Sequence, residues 1–183
     1  MTQRPDEEFD EDYLVPTFKQ SSVHVMVWGC IMKGWKGPLV VLEYPGGKGG
    51  GMNTARYQEQ VLEGVLKDFY TQMNAERDRV IFQQDGATSH QSKSTKKWFS
   101  DHEIPLLFHL ASSPDLSPIE PVWHELKKLI PGLPHPPNTT EQLIAAICDA
   151  WDTLPIADVD KHVNEMGDRV DAIIAAKGGH TKF

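Results

Sequence analysis

Two acidic residues stand where chemistry is most easily placed. Asp85 closes the run Arg79-Val80-Ile81-Phe82-Gln83-Gln84, at the point where a strand-like segment gives way to a loop. Open α/β sheets carry reacting groups at such ends because side chains there project into the crevice beyond the strands. Glu120 lies in the first turn of a helical segment introduced by Ser117-Pro118-Ile119. Two carboxyls with distinct surroundings could share acid and base roles in a hydrolase. Each also has a plain structural reading. Asp85-Gly86 is an ordinary turn signal, and Ser117 to Glu120 fits a capping box, with Pro118 at the first helical position and Glu120 reaching back to the Ser117 amide.

The elements that must position these residues follow from hydrophobic periodicity. In Val23–Met32, Val23, Val25, Val27 and Ile31 alternate onto one face, as a half-buried strand requires. The segment 33–38, KGWKGP, supplies a reversal, and Pro38 to Glu43 reads as the second arm of a hairpin. The glycine run 45–51 lacks the spacing of a phosphate-binding loop and reads as a flexible linker. Asn53 is placed to cap a helix reaching about Tyr70, with Tyr57, Val61, Val65, Leu66 and Phe69 at helical spacing. Short strands are expected at 79–84 and 104–110, a polar helix after Asp85, a helix from Pro118, and two closing helices at about 139–152 and 156–176. Strands interleaved with helices predict an α/β domain with a mixed sheet flanked by helices.

The chain has 183 residues, 39% of them hydrophobic, enough for one core and too few for two ordinary domains. The organisation expected is an acidic arm at 1–20, a core at 21–135 and a helical segment at 136–183. Lacking a membrane-spanning run and the order of a signal peptide, the sequence reads as soluble and intracellular, without a membrane partner. Cys30 and Cys148 have no metal-ligand spacing and read as core thiols, and Trp28, Trp98, Trp123 and Trp151 read as core residues. His24, His109 and His124 receive no role. Asp115 reads as a loop residue bonding its own backbone.

The formal net charge of −8 opposes phosphate binding at first sight. Its distribution weakens the objection, because residues 13–138 hold 13 bases against 12 acids while the acid excess sits at the two ends. Lys93, Lys96 and Lys97 directly follow Asp85, where they could meet a phosphate backbone or simply form a solvated helix face.

Taken together, QDGATSH at 84–90 and SSPDLSPIEPVW at 112–123 resemble two signature motifs of the Tc1/mariner transposases, with 34 residues between Asp85 and Glu120 as in the Tc1 branch. The likeness extends to VMVWGCI and MNTARYQEQVL, which look like fungal members of that family. Gly86, Thr88 and Ser117 depart from residues often found there, yet none is an acid. The resemblance implies an RNase H-like DDE endonuclease domain in which Asp85 and Glu120 are catalytic ligands of Mg²⁺ or Mn²⁺. It places His90 near the active site, makes Trp123 packing for the helix of Glu120, names DNA as the partner, and implies residence in the nucleus. Hard oxygen donors suit such ions.

The family carries a third acid on its first, central strand, upstream of the hairpin that begins here at Val23. By this match the strand and its aspartate are not in the sequence, and the acids at 6–12 fall on a surface loop. A weakly held metal pair, little strand cleavage and an exposed sheet edge open to self-association are expected. The family's helix-turn-helix region is likewise unmatched, so weak sequence preference in DNA contacts is expected.

Overall fold

The computed structural model describes residues 17–20, 23–46, 50–107, 109, 113–177, 179 and 181. Its organising element is strand β2 (Val23–Met32), which pairs antiparallel with β1 (Thr17–Gln20) along Val23 to Met26 and with β3 (Trp35–Leu42) on its other edge. The last four residues of the expected acidic arm thus belong to the sheet, and residues 1–16 lie outside the described residues.

The hairpin turns more tightly than its glycines and proline suggest. Lys33-Gly34 makes the reversal, with Gly34 in the left-handed region at φ 81°, and β3 starts at Trp35. Gly37 and Pro38 therefore lie inside β3, opposite Cys30 at an irregularity in the register. Proline is tolerated there because β3 is an edge strand. Gly37 is required there because a Cβ would come within 2.3 Å of the Cys30 sulfur.

The alternation of β2 serves two cores, so the strand is covered on both faces. Val25 and Val27 pack with Val122, Trp123, Ile147 and Trp151. Trp28 faces the opposite way, into Tyr57, Val61, Leu66 and Phe99. The first core is closed by α5 (Ile119–Leu129), α6 (Thr140–Thr153) and α7 (Ile156–Asn164), followed by α8 (Met166–Ala175). Two closing helices were expected; the second divides at Glu165. Lys36 reaches from β3 to the end of α6, donating to the carbonyls of Trp151, Asp152 and Leu154 at 2.5, 3.0 and 2.6 Å, where a cation satisfies orphan carbonyls and complements the helix dipole.

The second core is covered by one long helical stretch. Asn53 caps it as expected, its side chain accepting the Arg56 amide at 3.0 Å. The stretch runs as α1 (Thr54–Tyr57), a π-helical segment (Gln58–Leu66) and α2 (Lys67–Glu76). It passes the expected end at Tyr70 because Met73 prolongs the buried stripe. α3 (Thr88–Gln91) and α4 (Lys93–Asp101) replace the single polar helix expected after Asp85, broken where Ser92 accepts the Thr95 amide.

The strands expected at 79–84 and 104–110 form no ladder among the described residues, and residues 108 and 110 lie outside them. Among the described residues they meet at one parallel bridge, Phe82 with Leu106, made by Phe82 N–H to Pro105 and Leu107 N–H to Phe82. The physical reason is that Val80–Asp85 gains no strand partner on its β2 side, so neither neighbour holds it flat. The architecture is α/β: an antiparallel sheet and a separate parallel bridge, flanked by helices. Among the described residues no helix is long and apolar enough to cross a membrane.

Candidate active site

Asp85 stands at the end of the bridged segment, half-buried, and both sequence readings of it describe part of its geometry. Its Oδ1 accepts the Ala87 amide at 3.0 Å, which is the local turn. The same oxygen lies 2.5 Å from His90 Nδ1. His90 is itself buried, its ring 4.4 Å from that of Tyr57. The Tyr57 hydroxyl donates to Gln84 Oε1 at 2.8 Å, so the residue beside Asp85 and the histidine that holds it share one support.

Glu120 does not act as a cap. Ser117 ends the short turn Pro114–Leu116 and its amide bonds the Pro114 carbonyl at 2.8 Å, so α5 starts at Ile119 without a side-chain cap. The expected capping box is therefore absent, and the Glu120 carboxyl is left facing the cavity that Asp85 also lines. His90, His109, Gln83 and Ser117 line it too.

The two carboxyls sense each other. Burial raises the Glu120 pKa above its ordinary 4.5, the Asp85 charge raises it further, and Lys127 opposes both. At Asp85, burial is outweighed by the hydrogen bond and charge of His90, by the Ala87 amide and by His109, which hold the carboxyl below its usual 3.8. The consequences for stability have opposite sign. Asp85 contributes stability above pH 3.8 that is lost as pH falls through its lower folded value. Glu120 carries a penalty that is absent below pH 4.5 and complete above its raised folded value. Glu120→Gln should therefore stabilise the cation-free protein at pH 7 and leave it unchanged near pH 4. Urea unfolding at the two pH values checks it; equal effects would exclude an ionised, penalised Glu120.

Other sequence candidates fall around this centre. Lys93, Lys96 and Lys97 lie on the exposed side of α4, and Lys97 is engaged with Asp101 at 2.7 Å. Asp115 sits in the turn before α5, its carboxylate accepting from Thr181. The four tryptophans named are buried. Both cysteines are free, and burial pushes the Cys30 thiol up to about 12. His109 was given no role from sequence, yet its Nδ1 lies 2.9 Å from Gln83 Nε2 and its charge acts on Asp85. Tyr57 and Gln84 were missed likewise. Tyr57 was legible only as a core position, and its partners lie 27 residues and more along the chain. Among the described residues, no group of three or more His, Cys, Asp or Glu is arranged to hold a metal ion. The donors present nonetheless fit a hard cation in kind: two carboxyls, one pushed up by burial and then by the charge of the other, are a pair whose repulsion a divalent ion relieves.

The fold is that of an RNase H-like α/β domain. Residues 48–144 match the family model described as DDE superfamily endonuclease. The chain belongs to that family, in its Tc1/mariner branch. It is 34% identical over 171 residues to the transposase of the transposable element Tcb1 of Caenorhabditis briggsae, covering 93% of this chain and 59% of that protein. It is 30% identical over 175 residues to the Tc1 transposase of Caenorhabditis elegans, covering 96% and 60%. The chain thus spans about three-fifths of the length of these curated relatives. The fold matches the catalytic domain of the Mos1 mariner transposase with TM-score 0.73 at 18% identity, over 87% of this chain and 77% of that one. It also matches that catalytic domain solved with Raltegravir and Mg, TM-score 0.70 at 20% identity over 87% and 78%. A third match is the Mos1 paired-end complex with the left transposon end, TM-score 0.73 at 18% identity over 90% and 46%.

Proposed function

We propose that this chain forms the core of a Tc1-type transposase endonuclease, in which Asp85 and Glu120 hold Mg²⁺ or Mn²⁺ for cleaving and joining DNA strands in the nucleus. The observation that carries the reading is that both carboxyls line one cavity, where burial and then the charge of Asp85 raise Glu120. The Mos1 structures solved with Mg and with a transposon end support it by analogy of fold. When bound, such ions make water nucleophilic near neutral pH and relieve the leaving oxygen of charge. The chain's own residues do the positioning. His90 and the Ala87 amide fix Asp85 from behind, Tyr57 fixes His90, and α5 sets the height of Glu120. Lys93 and Lys96 offer positive charge to a phosphate backbone on the surface beside the cavity.

Two carboxyls hold a divalent pair weakly, since the ions need several anionic oxygens. The polypeptide of residues 1–183 by itself therefore binds DNA with modest sequence preference and cleaves it poorly. Supercoiled plasmid incubated with this polypeptide and Mg²⁺ or Mn²⁺ is expected to be retarded in a gel with only slow nicking, and that nicking should drop to background in Asp85→Ala and Glu120→Ala. Nicking that persists undiminished in both variants would remove the reading. Retardation with no nicking in any of the proteins would favour a DNA-binding domain without catalysis.

A further inference from the structure

The two carboxyls stand on separate stretches of chain, so their spacing needs a part that touches both. Asp85 ends the extended segment Val80–Asp85, and Glu120 enters α5 from the short turn Pro114–Leu116. Among the described residues the backbones of these two stretches do not bond each other.

The side chain of Gln83 joins them. Gln83 and Asp85 are two residues apart on extended backbone, so their side chains leave from the same side. Gln83 Nε2 lies 2.7 Å from the carbonyl of Leu116, the last residue of the turn. It lies 2.9 Å from Nδ1 of His109. One amide nitrogen thus ties three stretches of chain, across 33 and 26 residues of sequence. Gln83 and His109 line the cavity that Asp85 and Glu120 line.

The chemistry of the partners fixes the direction of both bonds. A carbonyl only accepts, so the atom facing Leu116 is the amide nitrogen and not the amide oxygen. That nitrogen carries two protons and accepts none, so its second proton goes to His109, and Nδ1 is the bare nitrogen of the ring. The neutral imidazole then carries its own proton on Nε2. The Leu116 carbonyl depends on this bond. Pro118 has no amide to offer, the Glu120 amide turns to the Ser117 carbonyl at 3.4 Å, and among the described residues no backbone amide meets Leu116. Water could satisfy such a carbonyl equally well. What a side chain adds is a fixed length between the segment of Asp85 and the approach to α5.

We propose that Gln83 is a positioning residue for the Asp85–Glu120 pair: its amide, tied to Leu116 and His109, sets how far the start of α5 stands from the end of Val80–Asp85, and so the span over which one cation is shared. The inference rests on the reading of Asp85 and Glu120 as cation ligands. It differs from the support of His90, which orients Asp85 alone.

Two variants test it in the 183-residue chain at pH 8. Gln83→Met keeps the length and removes both donors. Gln83→Glu keeps the length but only accepts, so it repels the Leu116 carbonyl and holds His109 only if the ring moves its proton to Nδ1. Without cation, nitrogen NMR of 15N-labelled histidine should show His109 protonated on Nε2 in the unaltered chain and on Nδ1 in Gln83→Glu. With Mn²⁺, followed by its electron paramagnetic resonance signal, the dissociation constant should rise about tenfold or more in both variants. Leu154→Ala, a buried position that does not line the cavity, is the control for lost stability and should leave Mn²⁺ binding unchanged. Unchanged Mn²⁺ affinity in both Gln83 variants, an equal loss in Leu154→Ala, or a proton on His109 Nδ1 in the unaltered chain would each overturn the proposal. Failure of the cation reading looks different. Mn²⁺ binding is then insensitive to Asp85→Ala and Glu120→Ala, and the positioning role falls with it, while the His109 spectra still report the tie itself.

Discussion

Trp123→Ala is expected to lower unfolding stability by about 3–5 kcal/mol, read as a fall in the urea midpoint at unchanged slope. Trp123 is 3% exposed and stacks on Trp151 at 5.4 Å between ring centroids. Its ring edge lies over β2 where the strand has no side chain: a Cβ at Gly29 would stand 2.9 Å from Trp123 Cη2. Truncation opens a cavity between α5, α6 and the sheet that rigid neighbours do not refill. The effect reaches the candidate site because Glu120 lies three residues before Trp123, on the same face of α5. A second observable separates this packing from general fragility. Gly29→Ala should be harmful alone and markedly less so in the Trp123→Ala background, where the added methyl has room. Additive losses would show that Trp123 does not press on Gly29.

Phe99→Ala should cost a similar ~3–5 kcal/mol, with its main consequence at the other carboxylate. Phe99 is 1% exposed and stacks on Phe82 at 5.5 Å, with Trp98 edge-on at 5.2 Å. Among the described residues the segment bearing Asp85 has one backbone bridge, at Phe82. Removing the Phe99 ring takes away the side-chain anchor of that bridge, and amide exchange at Phe82 and Leu107 should accelerate more than exchange in β2 and β3. The account of how Asp85 is positioned fails if exchange rises uniformly. Glu120 thus depends on Trp123 through α5, and Asp85 depends on Phe99 through Phe82 in addition to His90 and the Ala87 amide.

What the sequence conveyed was decided by whether the cause is local. The alternation of β2 and the cap at Asn53 depend on neighbouring residues and are visible in the chain. β1 is polar, Thr17-Phe18-Lys19-Gln20, and is a strand only because β2 offers it an edge. The capping box at Ser117 was locally sound and did not form, since the Ser117 amide is already committed to Pro114. The runs at 79–84 and 104–110 have strand composition, but a strand also needs a neighbour, and toward β2 the first of them faces a cavity. Asp85, His90 and Glu120 were legible through two motifs read at their separation. Tyr57 and His109 were not, because their relation to Asp85 is created by packing between distant segments.

The central claim is that the carboxyls at 85 and 120 grip the same ion. Titration of Mn²⁺ followed by its electron paramagnetic resonance signal tests this most directly, on the unaltered chain, Asp85→Ala, Glu120→Ala and the double variant. Shared ligation predicts one class of weak site that either single change abolishes, the double variant binding no less than each single. Binding unaltered by both changes, or halved by each and removed only by the two together, would contradict it.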